Sequence, residues 1–209
     1  MNSFEYNGIE ITWLGHASFR IEKDGYVVYI DPYAGDNYTK KANLILATHD
    51  HYDHCDSEKI KMITDENTKM VLNKDCAKNY PNAIPITVGE KKEVDGIVIE
   101  AVPAYNINKP YHPKDKGFTG FILTIDGTRI YHAGDTDLIP EMNMLKNIDI
   151  AFMPIGGTFT MDEIEAAKAT NLIRPKIVVP MHYNTVKGTE KDPNKFAEKV
   201  DKDIEVKIL

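Results

Sequence analysis

Ten short apolar runs, rich in β-branched and aromatic residues, constrain the fold of this 209-residue chain more than any other feature. Some of them are joined by tight turns, such as those at 23–25 and 126–127, where Asp-Gly favours a hairpin. The pattern therefore predicts strands paired by turns as well as strands separated by longer segments. The runs are 9–14, 17–22, 26–31, 44–49, 69–73, 97–104, 120–126, 129–135, 149–155 and 176–182.

Helical patterns lie between these runs and decide the fold class. Ser57 is the predicted cap of one helix, and Thr160 stands three residues before Glu163, which is the spacing of a capping box. A further helix is predicted within 193–203. Strands paired by turns, together with strands that alternate with helices, predict an α/β class with two mixed, layered sheets covered by helices. We expect residues 1–209 to form a single domain.

Polar residues fall at the ends of five of the apolar runs. Each of these residues is able to bind a metal ion or move a proton, and function concentrates in the loops at one rim of a rigid sheet. One such strand end is unremarkable, but five predict a shared site. The five residues are Asp31, His49, Tyr105, Asp135 and His182.

Composition excludes several partners and compartments. The formal charge of −7 argues against nucleic acid, because phosphate binding requires a basic face. No apolar stretch approaches the ~20 residues that span a bilayer, so no membrane partner is predicted. The first residues lack a basic start followed by an apolar run, so we expect no secretory signal and a cytoplasmic location. There Cys55 and Cys76 are expected to remain reduced thiols.

Three of the seven histidines lie in one short segment that follows an apolar run. His49 and His51 are two residues apart, so in extended chain they project to the same side and can share an ion. Asp53 and His54 follow after the chain turns and are placed to serve a second ion. Imidazole and carboxylate are typical ligands of transition metals. Neither pair completes a coordination sphere, and Asp135 and His182 are the predicted suppliers of the missing ligands.

The His-x-His-x-Asp-His segment, a later Gly-Asp-Thr and a histidine ending a late strand resemble the metallo-β-lactamase superfamily. The segments at 12–22, 131–136, 149–161 and 178–185 are similar to its small cytoplasmic metal-dependent hydrolases, near ascorbate-6-phosphate lactonase. The likeness extends from about Thr12 to Thr185. It implies an αββα sandwich built from two similar halves.

The resemblance also implies a set of metal ligands. His49 and His51 would hold a first ion, whereas Asp53, His54 and His182 would hold a second, with Asp135 bridging the two. The cofactor would be one or two divalent ions, most simply zinc, with manganese or iron as alternatives. Two such ions lower the pKa of a shared water to about 7 and stabilise charge in the transition state. The implied activity is hydrolysis.

Tyr105 departs from the family pattern. The family supplies a third histidine to the first ion from the loop after a middle strand, and in this chain Tyr105 stands at the matching position, with Asn106 beside it. A neutral phenol is a poor ligand, so the first site is expected to be weak, empty or filled by a metal that tolerates oxygen ligands. Alternatively, the Tyr105 hydroxyl donates a hydrogen bond to a bound oxyanion.

Other residues are candidates for catalysis and substrate binding. His16 is expected to line the pocket as an acid, base or substrate contact, or else to hold a turn between two strands. Asp31 is expected to support a ligand and not to touch the metal. His112 and Lys114, with Asn106, lie in a loop that is either a mobile lid meeting an anionic substrate or an ordinary solvated loop.

The sequence therefore favours a metal-dependent hydrolase whose partner is a small-molecule substrate. Activated water would attack an ester, lactone or phosphoester, with Asp53 orienting the water or accepting its proton. The alternative is a non-catalytic metal-binding or ligand-sensing protein with a degenerate dinuclear site, because Tyr105 stands in place of a ligand.

Overall fold

A computed structural model describes residues 2–209, which divide into two compact units, one formed by residues 2–86 with Leu209 and the other by residues 87–208. Each unit contains one seven-stranded mixed sheet. All ten predicted runs contribute a strand, so the expectation of two mixed sheets is confirmed. Within residues 2–209, no helix is long and apolar enough to cross a membrane.

In the first unit the strands lie side by side in chain order. The first four pair antiparallel, and the remaining three add in parallel. Ile60 and Ile63 of the first helix are buried in one cluster with Tyr29 and Leu72 of the sheet, so this helix covers one sheet face. The elements are β1 (Ser3–Tyr6), β2 (Ile9–Gly15), β3 (Ser18–Lys23), β4 (Tyr26–Ile30), β5 (Leu44–Ala47), α1 (Ser57–Ile63), β6 (Lys69–Asn73), α2 (Lys74–Ala77) and β7 (Ile84–Ile86).

The second unit repeats this topology. Its first four strands also pair antiparallel, and three more follow in parallel. Two similar halves are what the sequence resemblance implied. The elements are β8 (Lys91–Val94), β9 (Ile97–Pro103), β10 (Thr119–Ile125), β11 (Thr128–His132), β12 (Ile150–Pro154), α3 (Glu163–Ile173), β13 (Ile177–Met181), α4 (Pro193–Ala197) and β14 (Glu205–Val206), with 3-10 turns at Lys114–Lys116 and Pro140–Met144.

The predicted hairpin turns are present, and their geometry explains their residues. Asp24 and Gly25 both have positive φ, 49° and 83°, in the turn from β3 to β4. Asp126 and Gly127 repeat this geometry, with φ of 45° and 80°, between β10 and β11. Two successive left-handed residues match the twist of an antiparallel pair, and Asp-Gly tolerates them well.

The helix caps differ from the predicted ones. Asp56, and not Ser57, caps α1, because its carboxylate accepts a hydrogen bond from the amide of Lys59 at 2.8 Å. In α3 the capping box joins Asp162 to Glu165, two residues after the predicted pair. The carboxylate of Asp162 accepts from two amides in the first turn, which a single hydroxyl does less well.

The cysteines are paired, which corrects the expectation of reduced thiols. Cys55, in the turn before α1, forms a disulfide with Cys76 in α2, and their Cα atoms lie 6.7 Å apart. The two residues are 21 positions apart in the chain, and β6 brings α2 back beside the turn. Sequence spacing alone carries no information about that return.

Candidate metal centre

The candidate site of the first unit is built where two parallel strands end. Asp31 follows β4 and Thr48 follows β5, and these strands are parallel neighbours, so both residues stand at the same sheet edge. The Asp31 carboxylate is fully buried and accepts hydrogen bonds from the amide and the hydroxyl of Thr48, both at 2.7 Å. Asp31 has a φ of 48°, a conformation that aspartate adopts more readily than most residues. It therefore anchors the start of the histidine segment.

Asp31 also orients His54, one of the histidines predicted to bind metal. Its Oδ2 lies 2.7 Å from Nδ1 of His54, and both side chains are fully buried. Because a carboxylate only accepts hydrogen bonds, Nδ1 must carry the proton, and the lone pair of a neutral ring then lies on Nε2. This is the usual arrangement behind a metal-binding histidine.

Thr48 imposes the same tautomer on His49. The Thr48 hydroxyl donates its proton to Asp31, so its oxygen accepts from Nδ1 of His49 at 3.0 Å. The Nε2 atom of His49 faces Nδ1 of His51 at 3.1 Å. The rings of His49 and His54 lie with centroids 4.1 Å apart. The predicted cluster of three histidines is therefore formed within this unit, with its ring nitrogens close enough to share ions.

His16 and Asp53 form a contact in the same unit. Nε2 of His16 lies 3.1 Å from Oδ2 of Asp53, and the imidazole is fully buried whereas the carboxylate is about 15% exposed. One ligand atom from each of His16, Asp53 and His54 lies within 4.8 Å of the others. His16 therefore lies in this cluster, and its φ of 52° also shapes the turn between β2 and β3.

The turn that carries these residues is held at both ends. The amides of His54 and Cys55 both bond to the carbonyl of His51, at 3.1 and 2.9 Å. The disulfide from Cys55 then ties the turn to α2. Beside the turn, Tyr33 packs edge-on against Tyr52, which is 65% exposed. Burial and the negative charge of Asp53 raise the pKa of the Tyr33 hydroxyl.

In the second unit, Asp135 and His182 come together as predicted. Nε2 of His182 lies 3.0 Å from Oδ2 of Asp135, and both side chains are buried. They follow β11 and β13, which flank β12 in a parallel arrangement, so both stand at one edge of that sheet. Gly156, after β12, leaves room for His182, because a Cβ there would lie 2.4 Å from the His182 carbonyl oxygen.

His112 joins this pair, which the sequence did not reveal. Its Nε2 lies 3.3 Å from Oδ2 of Asp135, and its side chain is only 2% exposed. The expected lid position for His112 is therefore wrong: the ring is buried in the cluster. The loop places it there because the His112 carbonyl accepts from the Asn106 amide at 2.7 Å and the Asn106 side chain accepts from the His112 amide at 2.9 Å.

Asn106, another predicted substrate contact, makes its hydrogen bonds within the unit. Its Nδ2 donates to Oδ1 of Asp137 at 3.1 Å and to the carbonyl of Phe159 at 2.9 Å. Its Oδ1 lies 3.1 Å from Nδ1 of His112. Lys109 reaches the same Asp137 carboxylate at 2.5 Å. The loop at 106–112 is therefore held by hydrogen bonds and an ion pair within the second unit.

Tyr105 and Lys114 contact each other and Glu141. The Tyr105 hydroxyl donates to Oε2 of Glu141 at 2.8 Å, and the Lys114 ammonium lies 2.8 Å from Oε1 of the same carboxylate. Lys114 also approaches the Tyr105 oxygen at 3.2 Å. The hydrogen bond from Lys114 lowers the pKa of Glu141, and the same hydrogen bond raises the pKa of Lys114. Sequence reasoning missed Glu141, which lies in an unremarkable 3-10 turn, and Asp137, two residues after a predicted ligand.

The chain is similar to known proteins over most of its length. The model described as the beta-lactamase superfamily domain matches residues 10–182. A relative from Thermococcus onnurineus, named UPF0173 metal-dependent hydrolase, is 36% identical, and a relative of the same family name from Pyrococcus abyssi is 37% identical. In each case the alignment covers 96% of both chains.

Solved structures match over nearly the whole chain. A crystal structure from Parabacteroides distasonis matches with a TM-score of 0.89 and 36% identity, over 99% of this chain and 96% of the other. Igni18, a metallo hydrolase from Ignicoccus hospitalis, matches with a TM-score of 0.80 and 32% identity, over 96% and 94%. The metallo-beta-lactamase fold protein YhfI from Bacillus subtilis shares the fold, with a TM-score of 0.73 at 12% identity over 93% and 88%.

Proposed function

We propose a ligand set and a substrate class for this chain on the premise that it belongs to the metallo-β-lactamase superfamily, whose domain model matches residues 10–182. The chain is a metal-dependent hydrolase, as relatives aligned over 96% of its length are named. Its two mixed sheets form the metallo-β-lactamase type of fold that the sequence predicts. The finer likeness to ascorbate-6-phosphate lactonase stays a prediction.

The proposed ligand set adds His112 to the six predicted residues. One observation carries it: Nε2 of His112 and Nε2 of His182 both lie within 3.3 Å of the same Asp135 oxygen. His112 would then supply the third histidine, which the family pattern has at the position of Tyr105. His49, His51, Asp53 and His54 would supply ligands from the first unit, and His112, Asp135 and His182 would supply ligands from the second.

The donor atoms fit divalent zinc. Imidazole nitrogens dominate the set, and oxygen is supplied by aspartate alone, which favours zinc over magnesium or calcium. Asp31 and Thr48 hold His54 and His49 with the proton on Nδ1, which is the tautomer a metal requires at Nε2. We therefore propose two zinc ions per chain, with manganese or iron as alternatives.

When bound, the ions supply a Lewis acid and an activated water for hydrolysis. The residues of the chain manage the proton. Asp53 is placed to orient the attacking water, and His16, 3.1 Å from its carboxylate, is placed to accept the proton that Asp53 takes up. The Tyr105 hydroxyl already donates to Glu141, so we assign Tyr105 to holding the loop and not to an oxyanion.

The charge pattern favours a carboxylic ester or lactone over a phosphoester. Binding of a phosphoester is favoured by cationic side chains that remain available to its oxygens, in addition to the ions. Lys109 is already ion-paired to Asp137, and Lys114 to Glu141. Tyr111 packs edge-on against Phe159 and is 44% exposed, so it offers an apolar surface beside His112. The proposed partner is therefore a small, uncharged molecule, with neither nucleic acid nor membrane.

A panel of reporter substrates tests this proposal. Zinc-loaded protein is assayed against an aryl acetate, an aryl-substituted lactone and an aryl phosphodiester, with Asp135→Asn as the inactive control. Hydrolysis of the ester or lactone that is lost in the variant supports the proposal. Preferential hydrolysis of the phosphodiester would contradict the substrate class. Absence of turnover with all three, in protein that holds its metal, would favour the alternative of a metal-binding sensor.

Two further predictions accompany the proposed function. We propose that both units act as one hydrolase domain, because the matched family model runs across the boundary at residue 86.

We also keep the cytoplasm as the proposed location. An accessible disulfide is opened in a reducing compartment, so the redox state of Cys55 and Cys76 in the cell tests the proposed location. Alkylation of thiols in freshly lysed cells measures this.

A further inference from the structure

We infer that Asn106 is the positioning residue that fixes the tautomer of His112 and so sets the affinity of the metal site. This inference rests on the proposed function, because it takes His112 to be a ligand. It concerns a side chain that is not placed among the ligands and that the sequence suggested as a substrate contact.

The orientation of the Asn106 amide follows from its neighbours. Its Nδ2 lies against two acceptors, Oδ1 of Asp137 and the carbonyl of Phe159, whereas its Oδ1 faces the amide of His112 at 2.9 Å. The opposite orientation would put an oxygen against a carboxylate and a carbonyl. It would also turn two donors towards each other at the His112 amide. Only one orientation satisfies every contact.

That orientation dictates where the proton of His112 lies. Nδ1 of His112 is 3.1 Å from Oδ1 of Asn106 and 3.2 Å from the carbonyl oxygen of Phe159. Both neighbours are acceptors, so Nδ1 must carry hydrogen. In the neutral ring the lone pair is then on Nε2, the atom that lies 3.3 Å from Asp135.

The support behind Asn106 is rigid and buried. Asn106 is only 6% exposed, and Asp137, which accepts from it, is 5% exposed. Asp137 in turn accepts from the Ile107 amide at 2.9 Å and pairs with Lys109. A chain of contacts therefore runs from Lys109 through Asp137 and Asn106 to His112. Such supporting residues change metal affinity by about 10- to 100-fold when they are removed.

Asn106 also joins two segments of the second unit. Its bond to the Phe159 carbonyl ties the loop at 106–112 to the segment after β12, and the rings of Tyr111 and Phe159 pack with centroids 4.7 Å apart. Loss of the Asn106 side-chain amide would remove its hydrogen bonds to the His112 residue, while the metal-binding Nε2 atom of His112 remained present. The expected effect is therefore weaker metal binding and not the outright loss of a ligand.

The test compares Asn106→Ala with His112→Ala and with Asn171→Ala. Asn171 is a matched control, since its amide also bridges two segments, through the Lys199 carbonyl and the Asp201 amide, with no histidine involved. Zinc affinity is measured by competition with a chromophoric chelator. The tautomer of His112 is read from the nitrogen chemical shifts of its ring in the metal-free protein, assigned by its absence in His112→Ala.

We expect Asn106→Ala to weaken binding of one zinc ion by about 10- to 100-fold and to mix the two His112 tautomers, whereas Asn171→Ala changes neither. Loss of one ion in His112→Ala with unchanged affinity and tautomer in Asn106→Ala would overturn the inference but leave the proposed ligand set intact. Full zinc content in His112→Ala would overturn the ligand set itself. Thermal unfolding of the metal-free variants separates these effects from general destabilisation.

Discussion

Nε2 of His112 lies 3.3 Å from Oδ2 of Asp135, and this contact brings a second histidine to the carboxylate that His182 also approaches. Asp135 thereby gathers one histidine from the loop after β9 and another from the end of β13. A bridging carboxylate between two imidazoles is an arrangement that a metal ion stabilises and that burial alone does not favour.

The first prediction concerns Asp31, which holds His54 and Thr48. Asp31→Asn keeps the shape and the left-handed backbone but turns an amide donor towards the donors of the Thr48 hydroxyl and the His54 ring. We expect a loss of about 1–3 kcal/mol in the free energy of unfolding of the metal-free protein. We also expect weaker metal binding, because His54 is driven to the other tautomer.

Urea unfolding and chelator competition measure the two effects of Asp31→Asn. Asp36→Asn is the matched control, since the Asp36 side chain is fully exposed. An exposed substitution of this kind changes the free energy of unfolding by less than about 0.5 kcal/mol. Equal behaviour of the two variants would show that Asp31 does not support His54.

A second prediction concerns Gly156, where a Cβ would lie 2.4 Å from the His182 carbonyl oxygen and 3.1 Å from Nδ1 of its ring. Gly156→Ala should displace His182 and lower zinc content. Gly120→Ala controls for crowding alone, since its Cβ would lie 2.7 Å from the Ala133 carbonyl oxygen within the sheet. We expect both variants to lose stability but only Gly156→Ala to lose metal. Comparable zinc loss in the two would contradict a specific role for Gly156.

A third prediction concerns the disulfide between Cys55 and Cys76. It closes a loop of 21 residues in the unfolded chain, and loop-closure entropy of that length corresponds to about 3 kcal/mol. Cys76→Ser should therefore lower the free energy of unfolding of the oxidised protein by about that amount. The same variant in a strong reductant should match the reduced wild type. If the unfolding midpoint of the wild type does not change when reductant is added, the disulfide contributes nothing to stability.

Sequence periodicity predicted the sheets but not every element in them. The ten runs that became strands are rich in apolar and β-branched residues, so their composition predicted strands. The edge strands β1, β7, β8 and β14 were missed, since strands such as β8, Lys91–Val94, carry charge and obtain their order from pairing with a neighbour. The predicted caps lie one or two residues from the observed ones, because aspartate carboxylates, and not the predicted hydroxyls, accept the hydrogen bonds of the first turn.

The site was predictable where ligands follow strands and unpredictable where a loop decides. Asp31 and His182 directly follow strands, and His49 and Asp135 stand two and three residues beyond strand ends, so topology fixes their edge. His112 sits in a loop rich in proline and lysine whose path depends on Asn106, and no periodic pattern encodes that path. The position of Tyr105 therefore suggested a missing ligand, although His112, seven positions later, supplies an imidazole.

Zinc content of the purified wild type and of His112→Ala, measured by elemental analysis, tests the central claim most directly. Tyr105→Phe serves as control, because it removes only the hydroxyl that bonds to Glu141. We predict two ions per chain in the wild type and in Tyr105→Phe, and one in His112→Ala. Two ions in His112→Ala would contradict the claim that His112 completes the metal centre.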